Sequence, residues 1–142
     1  MKLSTKARYA LEGMLYIAAQ QPGALVNTRE IAKETGISLS YLEQIFFLLK
    51  KSGLLAAERG AAGGFRLALP AEQITAGMAV RAIEGGDLAP VPCIQNLSAC
   101  RSKIRGTCVS RSVWIALDQA IGGVLDSLTL ADLAAQYREG NV

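Results

Sequence analysis

The sequence predicts a mainly α-helical protein with one small β-hairpin and a long helix near the C-terminus. Three observations lead to this fold class. Apolar residues recur at three- and four-residue steps in several segments that begin at capping residues and end at glycine. One segment alternates apolar and polar residues beside a glycine-rich connection, as strands of a hairpin do. The chain has 142 residues, which is enough to bury one core.

Two short helices are predicted first. One covers residues 5–19, with Ser4 as its N-cap. The other begins near Asn27, where Glu30 follows three residues later as in a capping box. Gly36 ends this second helix.

A third helix is predicted from about residue 39 to residue 52, and its spacing from the second helix indicates a helix-turn-helix. Ala32 is small enough for two helices to cross closely, and Gly36 permits the positive φ of a sharp turn. Leu42 and Ile45 then pack the third helix on the second. An ordinary helical hairpin would explain the glycine, but not the basic hairpin that follows.

That hairpin is predicted from two short strands, residues 54–59 and 65–69, joined by the glycine-rich run 60–64. Thr75 caps a fourth helix that continues to about Glu84. Helix, tight turn, helix and hairpin in this order are the winged helix-turn-helix arrangement, which we assign to residues 1–84.

In a helix-turn-helix, the N-terminal part of the second helix enters the major groove of DNA. The exposed side chains there are the candidates for DNA contact: Ser38, Ser40, Tyr41, Glu43 and Gln44. Glu43 can accept a hydrogen bond from cytosine and Gln44 can pair with adenine, whereas the two serines and Tyr41 suit phosphates or base edges. The alternative for Ser40 and Glu43 is a capping box at the helix start.

The charge distribution agrees with a polyanion partner on the N-terminal half. Residues 1–70 contain nine Lys and Arg against five Glu, a net charge of +4, whereas the remaining residues have a net charge of −1. Lys50 and Lys51 are expected at phosphates, or else only solvate the helix end. Arg59 lies where a wing reaches a narrow minor groove, unless the hairpin is a plain turn.

Three cysteines follow the fourth helix in an irregular segment, residues 85–109. Cys93, Cys100 and Cys108 lie within 16 residues and have the spacing C-x6-C-x7-C. Clustered thiolates in a loop are able to bind a metal ion or an iron–sulfur cluster, whose irons require soft ligands. Nearby cations would offset the cluster's negative charge: Arg101, Lys103, Arg105 and Arg111. Only three thiols are present, so the fourth ligand and the cluster type, two-iron or four-iron, stay open.

The remaining residues, 110–142, are predicted to form a long helix from about Ser110 to Ser127 and a short last helix capped by Thr129. The long helix carries an apolar stripe at three- and four-residue steps: Trp114, Leu117, Ile121, Val124, Leu125 and Leu128. One small domain cannot cover so long a stripe. We therefore expect a homodimer, which would bind a pseudo-palindromic operator in double-stranded DNA.

Several classes of protein are excluded by what the sequence lacks. No apolar run approaches the roughly 18 residues of a membrane span, and no secretory signal is present. We therefore expect a cytoplasmic protein without a membrane partner. The chain has no histidine, no CxxC pair and no phosphate-binding loop on a strand–helix unit. Enzymes that depend on these groups are excluded, and we expect no catalytic site.

The sequence resembles the IscR/NsrR-type family of winged helix-turn-helix iron–sulfur transcription regulators over essentially its whole length. The resemblance rests on these segments: MKLSTKARYA at residues 1–10, GISLSYLEQ at 36–44, Arg59-Gly60 and Gly63-Gly64 in the wing, the three cysteines, and LTLADL at 128–133.

This resemblance implies a homodimer held by the long C-terminal helix. It also implies an iron–sulfur cluster on the three cysteines, which controls promoter binding. Ser40 and Glu43 fall on base-reading positions of the family, and Arg59 falls on the wing.

Two positions depart from the family pattern. Arg111 stands where IscR-like members place a histidine ligand, and Arg8 stands where NsrR-like members place an aspartate ligand. Some members of the family carry no cluster and respond to a partner enzyme. A cluster-free regulator controlled by a protein partner or by thiol oxidation is therefore the alternative function.

Overall fold

The structure is a computed structural model that describes residues 2–86, 88–104 and 106–140. Within these residues the chain forms six α-helices and one antiparallel two-stranded sheet. Helices α1 to α6 span Thr5–Ala18, Thr28–Thr35, Leu39–Lys51, Ala76–Glu84, Ser110–Ser127 and Leu130–Glu139; strands β1 and β2 span Leu55–Glu58 and Gly64–Leu67. The predicted fold class, mainly α with a small hairpin wing, is confirmed.

Side-chain caps fix the starts of the helices where the sequence predicts them. The hydroxyl of Ser4 accepts from the backbone N–H of Ala7, and Thr75 likewise accepts from Met78. Thr129 forms a reciprocal capping box at the start of α6. Each cap satisfies a backbone donor that a helix start otherwise leaves free.

One predicted cap is wrong. Asn27 caps α2 as expected, but Glu30 does not close a capping box. Its carboxylate accepts a hydrogen bond from the Tyr16 hydroxyl of α1 at 2.8 Å. This bond raises the pKa of Tyr16 to about 12. A long-range partner on α1 has replaced the local one, so the bond joins α1 to α2.

The helix-turn-helix packs as its spacing predicts. Gly36 ends α2 with a φ of 75°, and its N–H donates to the Ala32 carbonyl. Leu42 and Ile45 of α3 are fully buried. α1 crosses α3 so closely that a methyl group at Gly13 would lie 2.9 Å from the Phe46 ring.

The wing is anchored to the segment before α2. β1 and β2 pair in antiparallel register, and Val26 adds an isolated bridge to Phe65 through backbone hydrogen bonds of 2.8 and 2.9 Å. Gly64 is needed at this bridge, because a Cβ there would lie 2.6 Å from the Val26 carbonyl oxygen. The base of the wing is therefore fixed to the helix-turn-helix.

α6 returns to the winged helix and joins its core. Leu130 is fully buried and Ala134 is 1% exposed. The backbone N–H of Leu130 donates to the Ile74 carbonyl at 2.8 Å. The Arg138 guanidinium donates to the carbonyls at the end of α1: Ala18, Ala19 and Gln20.

α5 contrasts with every other long helix. None of its 18 residues is buried. It is joined to α4 by a bidentate ion pair between Arg81 and Asp126, with N–O distances of 2.6 and 2.9 Å. Its apolar stripe is only partly covered: Leu117 and Val124 are exposed, and Trp114, Ile121, Leu125 and Leu128 are half-buried.

The segment between α4 and α5 contains two single-turn 3-10 helices, Pro92–Ile94 and Leu97–Ala99.

No helix in the part of the chain that the structure describes is long and apolar enough to cross a membrane.

Candidate DNA-binding surface and cysteine loop

The start of α3 presents its polar side chains to solvent. Ser38 is the N-cap, and its hydroxyl accepts from the backbone N–H of Tyr41 at 3.3 Å. The N-cap therefore lies two residues before Ser40, where the Ser40–Glu43 capping box would place it. Ser40, Glu43 and Gln44 are all exposed. Their polar groups are free of the helix cap and available to a ligand.

Together with their neighbours, these side chains line an open hollow of about 520 Å³, which we call the α3 hollow. Its lining residues are Lys6, Ser40, Glu43, Gln44, Phe47 and Leu48. Lys6 comes from the first turn of α1, so the hollow lies between the start of α1 and the outer face of α3. Lys6 and Phe47 are not among the residues predicted from the sequence, although Phe47 follows Ser40, Glu43 and Gln44 by seven, four and three residues.

Tyr41 differs from its neighbours on α3. Its ring is half-buried and meets the Tyr9 ring edge-on, with centroids 5.7 Å apart. This geometry is typical of favourable aromatic pairs. Packing between α1 and α3 thus uses most of the Tyr41 ring, and the ring was expected to be exposed.

The predicted phosphate and wing cations are exposed. Lys50 and Lys51 lie in the last turn of α3. Arg59 follows β1 directly, at the beginning of the wing turn. Next to it, Glu58 and Arg66 form a cross-hairpin ion pair at 2.9 Å, which supports the arms of the wing.

The three cysteines lie at different points of one loop. Cys93 is in the first 3-10 turn, Cys100 follows the second, and Cys108 precedes α5. All three are free and half-buried. Within residues 2–86, 88–104 and 106–140, no three His, Cys, Asp or Glu side chains converge into a group able to hold a metal ion. Arg105, one of the predicted loop cations, lies outside the described residues.

Cys108 is the thiol with a defined polar environment. Its Sγ lies 3.0 Å from the Ser110 hydroxyl. This hydrogen bond, together with the backbone N–H of Arg111, lowers the pKa of Cys108. The thiolate, the form that binds metals, therefore forms more readily at this position than at a cysteine without these hydrogen bonds.

Arg111 connects the cysteine loop to α5. From the first turn of the helix, its guanidinium donates to the carbonyls of Cys93 and Ile94 at 3.2 and 3.3 Å. Arg8, the other position where relatives carry a ligand, is exposed, and its guanidinium lies 5.4 Å from the Tyr9 ring centroid. Arginine has no lone pair for a metal, so neither residue is a fourth ligand.

The side-chain donors of the cysteine loop can be compared with the ligands that an iron–sulfur cluster requires. Three thiols supply the soft ligands that iron in such clusters requires. No histidine exists in the chain. By donor type, the residues match a cluster with three protein thiolates and a fourth ligand of another kind, although the three thiols do not converge into one group in the described residues.

Comparison with known proteins identifies the family. The Rrf2 family, described as "Iron-dependent Transcriptional regulator", matches residues 3–136. The chain belongs to the Rrf2 family. This Rrf2 protein is 36% identical over 142 residues to the HTH-type transcriptional regulator IscR of Photobacterium profundum, covering 100% of the chain and 78% of that relative.

Solved structures agree with this Rrf2 assignment. CymR, the global cysteine regulator of B. subtilis, is 35% identical with a TM-score of 0.78, covering 95% of this chain and 97% of CymR. IscR of T. potens is 33% identical with a TM-score of 0.79, covering 100% and 92%. The winged helix-turn-helix prediction is confirmed, and the protein is a DNA-binding transcriptional regulator, not an enzyme.

Proposed function

We propose that this Rrf2 regulator binds a pseudo-palindromic operator as a homodimer, and that an iron–sulfur cluster on Cys93, Cys100 and Cys108 controls this binding. The observation that carries the proposal is the position of the three thiols. They occupy one loop that ends directly at α5, the helix whose apolar stripe is only partly covered. The likeness to IscR proteins supports the same assignment.

The α3 hollow is the proposed base-reading surface. Ser40, Glu43 and Gln44 would face base edges there, while Ser38 and Tyr41 flank them. Lys50, Lys51 and the wing residue Arg59 would contact the phosphates or the minor groove.

A second copy of the chain is the proposed partner of α5. A hollow of about 360 Å³ on this helix is lined only by apolar residues: Leu3, Ala120, Ile121, Val124 and Leu125. Burying such a surface against the same surface of another copy gives a two-fold dimer. Two copies of α3 would then address two half-sites.

The loop residues would hold the cluster and connect it to the dimer helix. The three thiolates would bind iron, and Arg111 holds the Cys93 segment against the first turn of α5. A bound cluster supplies a centre that reacts with oxygen or nitric oxide. The fourth ligand is proposed to be a carboxylate elsewhere, a solvent species or a small thiol.

The proposal is tested by anaerobic purification, with visible absorbance and iron and sulfide assays, followed by DNA binding of the loaded and metal-free forms. Single Cys→Ala variants at the three positions should each lose absorbance and iron, whereas Ser102→Ala in the same loop should retain both. Variants that keep their full iron content would contradict the three-thiolate site.

A cluster-free thiol switch is the second candidate. It is favoured by the lowered pKa of Cys108 and by the likeness to CymR, a global cysteine regulator. A wild-type protein that takes up no iron, but whose DNA affinity changes on mild oxidation and returns on reduction, would select this candidate.

A further inference from the structure

Phe47 is an aromatic side chain on the outside of α3. It is 65% exposed, against 44% for Leu3 and 37% for Leu69, the other exposed large apolar residues of the described winged helix. Single exposed apolar residues are common on protein surfaces. The exposure of Phe47 alone therefore does not indicate a function, whereas its position on α3 does.

Packing does not account for Phe47. Its neighbour Phe46 is fully buried and stacks edge-on against Phe65, with ring centroids 5.0 Å apart. Among the described residues, Phe47 takes part in neither aromatic pair of the structure. The core of the helix-turn-helix is thus complete without its ring.

Phe47 instead shares a face with the proposed base readers. It follows Ser40, Glu43 and Gln44 by seven, four and three residues, the spacings that place side chains on one side of a helix. The geometry of the α3 hollow agrees, since all four side chains line it. Whatever enters this hollow therefore meets an aromatic ring beside a carboxylate and an amide.

The surrounding charges identify the occupant. Lys6 borders the hollow, and Lys50 and Lys51 are exposed in the next turn of α3. Such cations favour a polyanion, and this regulator binds DNA. In the major groove the apolar group available to a side chain is the C5-methyl of thymine.

We propose that Phe47 contacts the C5-methyl of one thymine in each half-site, and so is a further specificity-determining residue. The inference rests on the proposed placement of α3 in the major groove. Cytosine lacks this methyl group, while 5-methylcytosine carries it at the same position. Phe47 therefore favours thymine over cytosine at one position, and 5-methylcytosine recovers part of the loss.

The test replaces thymines with uracil, which removes only the methyl group. The full-length protein first selects its preferred operator from random duplexes, and each thymine is then replaced in turn. At one thymine position, replacement by uracil should lower the affinity of the wild type about fourfold per half-site. This is the value expected for ~0.8 kcal/mol per buried methyl-sized group. Phe47→Ala should bind the thymine and uracil operators equally well, and Phe47→Leu should retain the preference.

Leu69→Ala is the control, because it truncates an exposed apolar side chain outside α3 and should keep the wild-type discrimination. The inference is overturned if wild type has no uracil-sensitive position, or if Phe47→Ala discriminates as wild type does. Glu43→Ala, tested in parallel, separates the two levels of the proposal. If it changes the selected sequence while Phe47→Ala does not, only the Phe47 inference fails. If neither variant changes it, the placement of α3 fails as well.

Discussion

At the residue scale, the structure separates side chains that hold the fold from side chains that are free for a ligand. Ser38 and Tyr41 both belong to the predicted site, but Ser38 caps α3 and Tyr41 packs on Tyr9. Ser40, Glu43 and Gln44 have no such task in the described contacts and are exposed. The sequence reveals the positions of all five residues, but only the packing of α1 on α3 shows which of them remain available.

Glu43→Ala tests whether the exposed side chains of α3 read bases. The proposed acceptor for a cytosine amino group would be lost, so base preference should relax at one position per half-site by about 1–3 kcal/mol. Competition binding against operators with single base changes measures this. Lys51→Ala is the matched control: it should weaken all sequences alike and reduce the salt slope by about one unit. An unchanged preferred sequence in Glu43→Ala would remove Glu43 from the readers.

Glu84 makes stability depend on acid pH. Its carboxylate accepts from the Ser4 backbone N–H at 2.8 Å, and bonds from Ser4 lower the pKa of Glu84 below its ordinary 4.5. The ionised form is therefore stabilised by folding. This contribution is complete above pH 4.5 and is lost as the pH falls through the lower folded pKa.

Urea unfolding at several pH values checks this behaviour. Glu84→Gln should be less stable than wild type near neutral pH, and the difference should shrink as the pH falls below about 4. Glu72→Gln, at an exposed position in the same half of the chain, serves as the control. A difference that stays constant across this range would show that ionisation of Glu84 is not involved.

At the element scale, α5 is the helix that has no buried residue in the monomer. Its bounds, Ser110–Ser127, are those that the sequence predicts, because the apolar periodicity is regular and Thr129 marks the next start. α6 was harder to place. Local pattern predicts that it is a helix, but nothing local shows that Arg138 reaches the end of α1, more than a hundred residues earlier.

Ile121→Asp tests the proposed dimer. A carboxylate in the apolar hollow of α5 would have to be buried without a partner, so the variant should be monomeric and should bind the operator poorly. Sedimentation measures the mass. Gln119→Asp adds the same charge on the opposite, exposed side of the helix and should stay dimeric. A dimeric Ile121→Asp would show that another surface forms the interface.

At the scale of the whole molecule, the winged helix was predictable and the connections between its parts were not. Caps, glycine turns and apolar spacing are local signals, so they survive in a single sequence. The link from Arg111 to Cys93 and the pair between Arg81 and Asp126 join distant segments. The cysteine loop was located from its composition, but its backbone follows from tertiary contacts, because it has no periodicity of its own.

These connections form a continuous series of contacts from the cysteine loop towards the proposed DNA-binding surface. Arg111 joins the loop to α5, and the Arg81–Asp126 pair joins α5 to α4. Glu84 at the end of α4 then accepts a hydrogen bond from Ser4, the N-cap of α1, and Lys6 in the first turn of that helix lines the α3 hollow. Such a series of contacts is able to couple two distant sites.

Arg81→Gln tests whether the series carries the signal. The change removes the ion pair between α4 and α5 but touches neither the thiols nor the apolar stripe, so iron content and dimer mass should be unchanged. Wild type is expected to show a ratio of about 5–150 between the DNA affinities of its loaded and metal-free forms. In the variant this ratio should fall towards one, because α4 no longer follows α5.

Arg66→Gln provides the comparison, since it removes a different ion pair, which lies within the wing. It should affect both forms alike and leave the ratio at the wild-type value. If Arg81→Gln also keeps that ratio, the cluster state reaches α3 by another route, such as the backbone bond between Ala76 and Leu128. If only Arg81→Gln lowers it, the α4–α5 ion pair is the element through which the state of the cysteine loop sets DNA affinity.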